Sequence, residues 1–83
     1  MKVVFAPRAA KELEALPESP RRRLLTAVQA LGARPLAGKP LKGPLEGRRS
    51  LRVGEFRVIY RLSTVTHRVE ILKVGHRAGI YRG

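Results

Sequence analysis

The chain has 83 residues and carries 18 Lys and Arg against 6 acidic residues, a formal net charge of +12 at neutral pH. That length supports one domain over residues 1–83 with a modest core, which excludes a large enclosed cavity and puts any site on an open surface. With no Cys, no Asp and only His67 and His76 as imidazoles, neither a disulfide nor a metal or other cofactor is expected, and the charge calls for a polyanionic partner.

Lys2–Phe5 has the β-branched and aromatic character of a short strand, and Pro7 closes it while suiting the first position of a helix. From Pro7 to Leu16 the apolar residues Ala9, Leu13 and Leu16 recur at helical spacing, with charged residues between them. Pro17 ends that helix. Ser19 and Pro20 then read as the N-cap and first position of a second helix, whose apolar stripe is Leu24, Leu25, Val28 and Leu31. Gly32 is expected to leave it through a left-handed conformation. Arg21, Arg22 and Arg23 crowd its first turn against the helix dipole and read first as a solvated face, the functional alternatives being contact with RNA or with an acidic partner.

Residues 33–47 are rich in Pro and Gly and read as a loop crossing from helix to sheet. Three strands follow, Arg48–Val53, Glu55–Ser63 and Arg68–Gly75, whose short connections make them an antiparallel meander. In the middle strand Phe56, Val58, Tyr60 and Leu62 alternate with Arg57, Ile59 and Arg61. One face therefore packs on the helices, Tyr60 included, while Arg57 points away from them. In the last strand Glu70, Leu72 and Val74 alternate with Val69, Ile71 and Lys73, and periodicity does not decide which set is core. The expected fold is α+β, in the order β-α-α-β-β-β: an antiparallel sheet with an N-terminal helical hairpin packed on one face and a basic, open second face.

Lys2, Arg8 and Lys11 balance Glu12, Glu14 and Glu18, so the whole positive excess lies in residues 21–83, and 13 of the 18 cations are Arg. The planar guanidinium fork matches phosphate, which favours nucleic acid over a membrane surface. No apolar stretch is long enough to span a bilayer, and Met1–Ala6 runs into Pro7 without a secretory pattern, so a cytoplasmic location is expected. Paired carboxylates, a nucleophile elbow and a phosphate loop are all missing, which sets aside two-metal phosphoryl transfer and nucleotide-triphosphate chemistry. The remaining cluster of Arg, His and Tyr suits RNA, because that substrate carries its own nucleophile, the 2′-hydroxyl, beside the phosphodiester. DNA lacks it, so the same cluster binds DNA without cutting it by this route.

Leu51-Arg52-Val53-Gly54-Glu55-Phe56-Arg57-Val58-Ile59-Tyr60-Arg61 resembles the central strand pair of the RelE/ParE superfamily of toxins. Val74-Gly75-His76-Arg77 followed by Tyr81-Arg82 is similar to the family's C-terminal signature, and Phe5-Ala6-Pro7-Arg8-Ala9-Ala10-Lys11-Glu12-Leu13 to its opening strand and helix. The resemblance implies a toxin with an antitoxin encoded beside it. RelE-like members cleave mRNA in the ribosomal A site, while ParE-like members poison DNA gyrase. By position, the resemblance implies that Arg57 stabilises the phosphoryl group, that Arg77 serves the leaving group, and that Tyr81 stacks on or orients the substrate.

His76 stands where some members carry Lys, and imidazole is able to act as acid or base. This chain departs from the family on the strand before Gly54, where Arg48 and Ser50 replace two lysines. Arg is a poor proton acceptor, so either His76 is the base or catalysis leans on the ribosome to position its substrate, the second being preferred. The expectation is a ribosome-dependent, metal-independent mRNA endoribonuclease, an mRNA interferase that inhibits translation. Its catalytic residues would be Arg57, Arg77, His76 and Tyr81, with phosphate contacts from Arg48, Arg49 and Arg52. Expected partners are mRNA on the ribosome, ribosomal RNA and a RelB-like antitoxin, with no membrane. The alternatives are a ParE-like gyrase inhibitor without ribonuclease activity and a non-toxic basic nucleic-acid-binding protein.

Overall fold

A computed structural model describes residues 1–77, 79 and 80. Its elements run β1 (Lys2–Phe5), α1 (Pro7–Glu14), α2 (Glu18–Ala30), β2 (Lys39–Pro40), a single 3-10 turn (Gly43–Leu45), β3 (Arg49–Val53), β4 (Phe56–Ser63) and β5 (Arg68–His76). They form one five-stranded sheet in the order β1-β5-β4-β3-β2. The meander β3–β4–β5 is antiparallel as expected. At one edge β1 pairs with β5 in parallel, with Val3 opposite Val69 and Phe5 opposite Ile71, so the sheet is mixed. At the other edge Lys39 and Pro40 pair with Ser50 and Arg49, so the crossing loop supplies a short strand of its own. Pro is tolerated there because an edge strand has one side free of ladder bonds.

The helices meet the sheet through one apolar layer. Ala9 and Leu13 of α1, Leu24 and Val28 of α2 and Leu31 pack on Val58, Tyr60, Val69, Ile71 and Val74. Each fully buried aliphatic side chain of this kind stabilises the fold by about 1.5–3 kcal/mol. α1 ends at Glu14 rather than at Leu16, since the residue before Pro17 is pushed out of the helical region. α2 starts at Glu18, with Pro17 and not Ser19 at the N-cap. Pro20 thus takes the third helical position, where a missing N–H costs nothing, and the first i→i−4 bond runs from Arg21 N to Pro17 O at 3.0 Å.

Gly32 also departs from expectation. Among the described residues the left-handed glycines are Gly43, Gly47 and Gly54, and Gly32 is not one of them. Its need for no side chain is steric: a Cβ there would lie 2.8 Å from Met1 O, while the Met1 ammonium donates to Gly32 O at 2.7 Å. The loop 33–47 is pinned from beneath by Tyr60. Its hydroxyl donates to Pro35 O and accepts from Gly38 N, each at 2.8 Å. A Cβ on Gly38 would come within 2.7 Å of that hydroxyl, so glycine is required for the loop to close on it.

The undecided alternation of β5 has a physical cause. Ile59 pairs with Lys73 but Tyr60 pairs with Ile71, which leaves Leu72 as an extra residue, a β-bulge. Val69 and Ile71 face the helices before it and Val74 after it, so neither alternating set is the core. Beyond Ile71 the outer edge of β5 has lost β1, and there Val74 N donates to Glu12 Oε1 of α1 at 2.9 Å. Among the described residues no helix is long and apolar enough to cross a membrane.

Candidate nucleic-acid interface

The site is built on the face of the sheet that the helices leave free, part of which Ile80 covers. Cross-strand partners share a face. Ser50 pairs with Ile59 and Arg52 with Arg57, while Leu51 and Val53 pair with Val58 and Phe56 on the helix side. The open face therefore presents Ser50 and Arg52 from β3, Arg57, Ile59 and Arg61 from β4, and Glu70, Lys73 and Gly75 from β5. The bulge adds Leu72 beside Lys73 on that face, where both line one cleft with Ile59.

Arg57 lies at the centre of the cationic group. It is half-buried, and its Nη1 donates to Ser50 Oγ at 3.3 Å across the strand pair. Ser50 is only 4% exposed, a buried hydroxyl on the same face as the guanidinium it receives. Opposite Arg57 on β5 is Gly75, which leaves room above the sheet for Ile80, whose Cδ1 would lie 3.3 Å from a Cβ there. Arg52 is the cross-strand neighbour of Arg57 and lays its Nε toward Gly54 O at 3.5 Å. Arg77 continues the β4–β5 ladder by donating its N–H to Glu55 O at 2.9 Å. Farther along the face Arg61 is neutralised by Glu70, Nε to Oε1 at 2.6 Å. Arg52 and Arg57 thus lie side by side next to the β3–β4 turn, to which the main chain of Arg77 is also tied.

Two of the expected site residues sit elsewhere. Arg49 is paired with Tyr60 on the helix side and spends its guanidinium on the crossing loop, Nε on Gly38 O at 3.0 Å and Nη2 on Leu36 O at 3.2 Å. His76 pairs with Phe56, and its ring meets the phenyl edge to face at a centroid distance of 5.9 Å. Phe56 packs against the core, so His76 comes off the strand end on the opposite side from Arg57. Tyr81 lies outside the described residues.

Arg48 stands apart from Arg57 in another sense. It lines a cleft of about 300 Å³ with Leu45, Ile59, Leu72, Ile80, Arg8 and Lys73. Sequence reasoning did not bring Ile59, Leu72 and Arg8 together there; the unassigned apolar residue Ile59 between Arg57 and Arg61 was the available signal. Among the described residues no three His or carboxylate side chains converge as metal ligands. Chemically the face offers fixed guanidinium donors for phosphate oxygens and an apolar cleft beside them, with no carboxylate at the Arg52–Arg57 pair.

A family model described as the ParE toxin of the type II toxin-antitoxin system parDE matches residues 3–81. The chain is 37% identical to Toxin RelE of Mycobacterium tuberculosis over 96% of its own length and 84% of that protein's. It is 41% identical to Toxin RelG of the same organism, over 96% of this chain and 94% of the relative. Among solved structures, the toxin–antitoxin complex RelBE2 of M. tuberculosis contains a chain that superposes with a TM-score of 0.74 at 38% identity, covering 92% of this chain and 96% of that one.

Proposed function

The chain belongs to the RelE/ParE superfamily of type II toxins and is RelE-like, and on that premise we propose that it is a ribosome-dependent endoribonuclease cutting mRNA in the A site. The observation that carries this reading is the Arg57 guanidinium, held by Ser50 on the helix-free face beside Arg52 and within one strand of Arg77. In the reaction the 2′-oxygen bonds to phosphorus and the bond from phosphorus to the 5′-oxygen breaks, leaving a 2′,3′-cyclic phosphate and a 5′-hydroxyl. Negative charge builds on the phosphoryl oxygens, and pre-positioned guanidinium donors stabilise it without having to reorganise. Arg57 takes that role, Arg77 stabilises the charge on the leaving 5′-oxygen, which takes its proton from Arg77 or from water, and Arg48 and Arg52 hold flanking phosphates. Tyr81 has the role of stacking on or orienting the substrate.

Arg does not accept a proton, so the 2′-hydroxyl proton goes to His76 or to solvent. The edge-to-face seat of His76 on Phe56, off the Arg57 face, favours solvent together with positioning of the strand by the ribosome. Arg49, tied to two loop carbonyls, is proposed to hold the crossing loop in place and to reach phosphate only at its margin. The similarity to RelBE2 supports a RelB-like antitoxin as the partner that keeps the toxin silent. A second reading, inhibition of DNA gyrase without cleavage, is favoured by the ParE description of the family model and by Ser50 at a lysine position of RelE.

The test is primer-extension mapping of mRNA ends in a translating extract, with wild type, Arg57→Ala and Arg77→Ala at matched protein levels. Cuts at A-site codons that fall about a hundredfold or more in both variants are expected. No cuts by wild type, together with loss of supercoiling by purified gyrase, would replace the ribonuclease reading with the second one.

A further inference from the structure

The β3–β4 turn, Gly54–Glu55, is reached by guanidinium groups from both layers of the molecule. From the sheet, Arg52 Nε lies 3.5 Å from Gly54 O. From the helical layer Arg23 of α2 arrives at the same place: a Cβ on Gly54 would lie 3.7 Å from Arg23 Nη1. Gly54, at a φ of +60°, has no side chain, so nothing stands between that guanidinium and the turn.

The three consecutive arginines of α2 are not equivalent. Arg21 donates to Leu16 O at 3.4 Å, and Arg22 is paired with Glu18 one helical turn earlier. Arg23 makes neither a hydrogen bond nor an ion pair among the described residues, and it is exposed. Glu55, the carboxylate of the turn itself, forms no ion pair among the described residues either. Two guanidinium groups, Arg23 and Arg52, thus approach one turn whose single carboxylate, Glu55, is paired with neither, so both keep donors to offer to a ligand. A phosphate fits that arrangement because it offers several acceptor oxygens to donors arriving from different directions.

We propose that Arg23 is an RNA phosphate contact that extends the binding surface from the open face of the sheet, around the β3–β4 turn, onto the helical layer. The proposal rests on the reading of the protein as an RNA-directed toxin and adds a contact outside the cleavage site. The phosphate belongs either to the message or to ribosomal RNA, and one experiment with two arms separates these sources.

Binding of wild type, Arg23→Gln and Arg22→Gln is measured against salt concentration, first to a short single-stranded 2′-O-methyl RNA, which cannot be cut, and then to ribosomes programmed with it. Each phosphate contact to a single strand contributes about 0.7 to the slope of log affinity against log salt. Arg23→Gln is expected to lower that slope by roughly this amount and to weaken binding several-fold, whereas Arg22→Gln matches wild type. Its melting temperature should equal that of wild type, because Arg23 makes no contact that the fold uses. A reduced slope in both arms assigns the contact to the message, and a reduction on ribosomes alone assigns it to ribosomal RNA. An unchanged slope in both arms overturns the proposal while leaving the ribonuclease reading intact. Salt-insensitive binding by wild type in both arms would instead overturn the RNA reading itself, and this inference with it.

Discussion

The two faces of the sheet are made by the same strands but obey different rules. On the helix side the residues are apolar, and the polar atoms among them are tied down, Tyr60 by two hydrogen bonds and Arg49 by two more. On the open side the same strands carry Arg52, Arg57 and Lys73, and Arg57 rests on one bond to a serine. Stability is invested in one face and ligand charge in the other, so substitutions on the two faces should separate cleanly by what they change.

The largest expected effect lies on the covered face. Leu24→Ala removes a side chain with no exposed surface and should cost about 2–5 kcal/mol in denaturant unfolding, with cutting per folded molecule unchanged. A loss of under half a kcal/mol would mean that α2 is not a core element. Tyr60→Phe comes next: it leaves Gly38 N and Pro35 O without their partner and should cost about 1–3 kcal/mol, read by the same unfolding curve. Because the loop it frees ends at β3, that variant should also loosen protease resistance around residues 35–38. Ser50→Ala sharpens the contrast from the other side. Removing the acceptor of Arg57 should slow cleavage roughly tenfold through turnover rather than KM, while unfolding shifts by about 1 kcal/mol or less. An equal effect on KM and turnover would show that Ser50 supports binding and not the alignment of Arg57.

Much of this division is legible in the residues themselves. Phe56, Val58 and Tyr60 alternating with Arg57, Ile59 and Arg61 place one face inward and the other outward, and the structure follows that reading. The same rule applied to β3 separates Arg49, in phase with Leu51 and Val53, from Arg48, Ser50 and Arg52. Grouping Arg49 with its neighbours as a phosphate binder overlooked that signal. His76 likewise shares the phase of Val74 and leaves the strand on the helix side. Other features have no local signature. The parallel seat of β1 against β5 depends on where the two helices return the chain, and the bulge at Leu72 shows in the sequence only as an alternation that fails. Gly32 carries the composition of a helix exit yet serves the approach of the chain's first residue, a contact between positions far apart in the chain. The meeting of Arg23 with Gly54 is of the same kind, since nothing in α2 records which turn it will rest on.

The bulge at Leu72 divides β5 into halves of unequal restraint. The segment up to Ile71 is hydrogen-bonded on both sides, to β1 and to β4, and melts only with the sheet. The segment from Lys73 to His76 is laddered to β4, and at its other edge Val74 N donates to the Glu12 carboxylate of α1. Opening it would cost those bonds and also the packing of Val74 on the helices, so this half of the strand is held through its face more than through its edge. Glu12 thus does for Val74 N–H what a further strand would have done, and the helix α1 helps to fix the place from which Arg77 leaves the sheet.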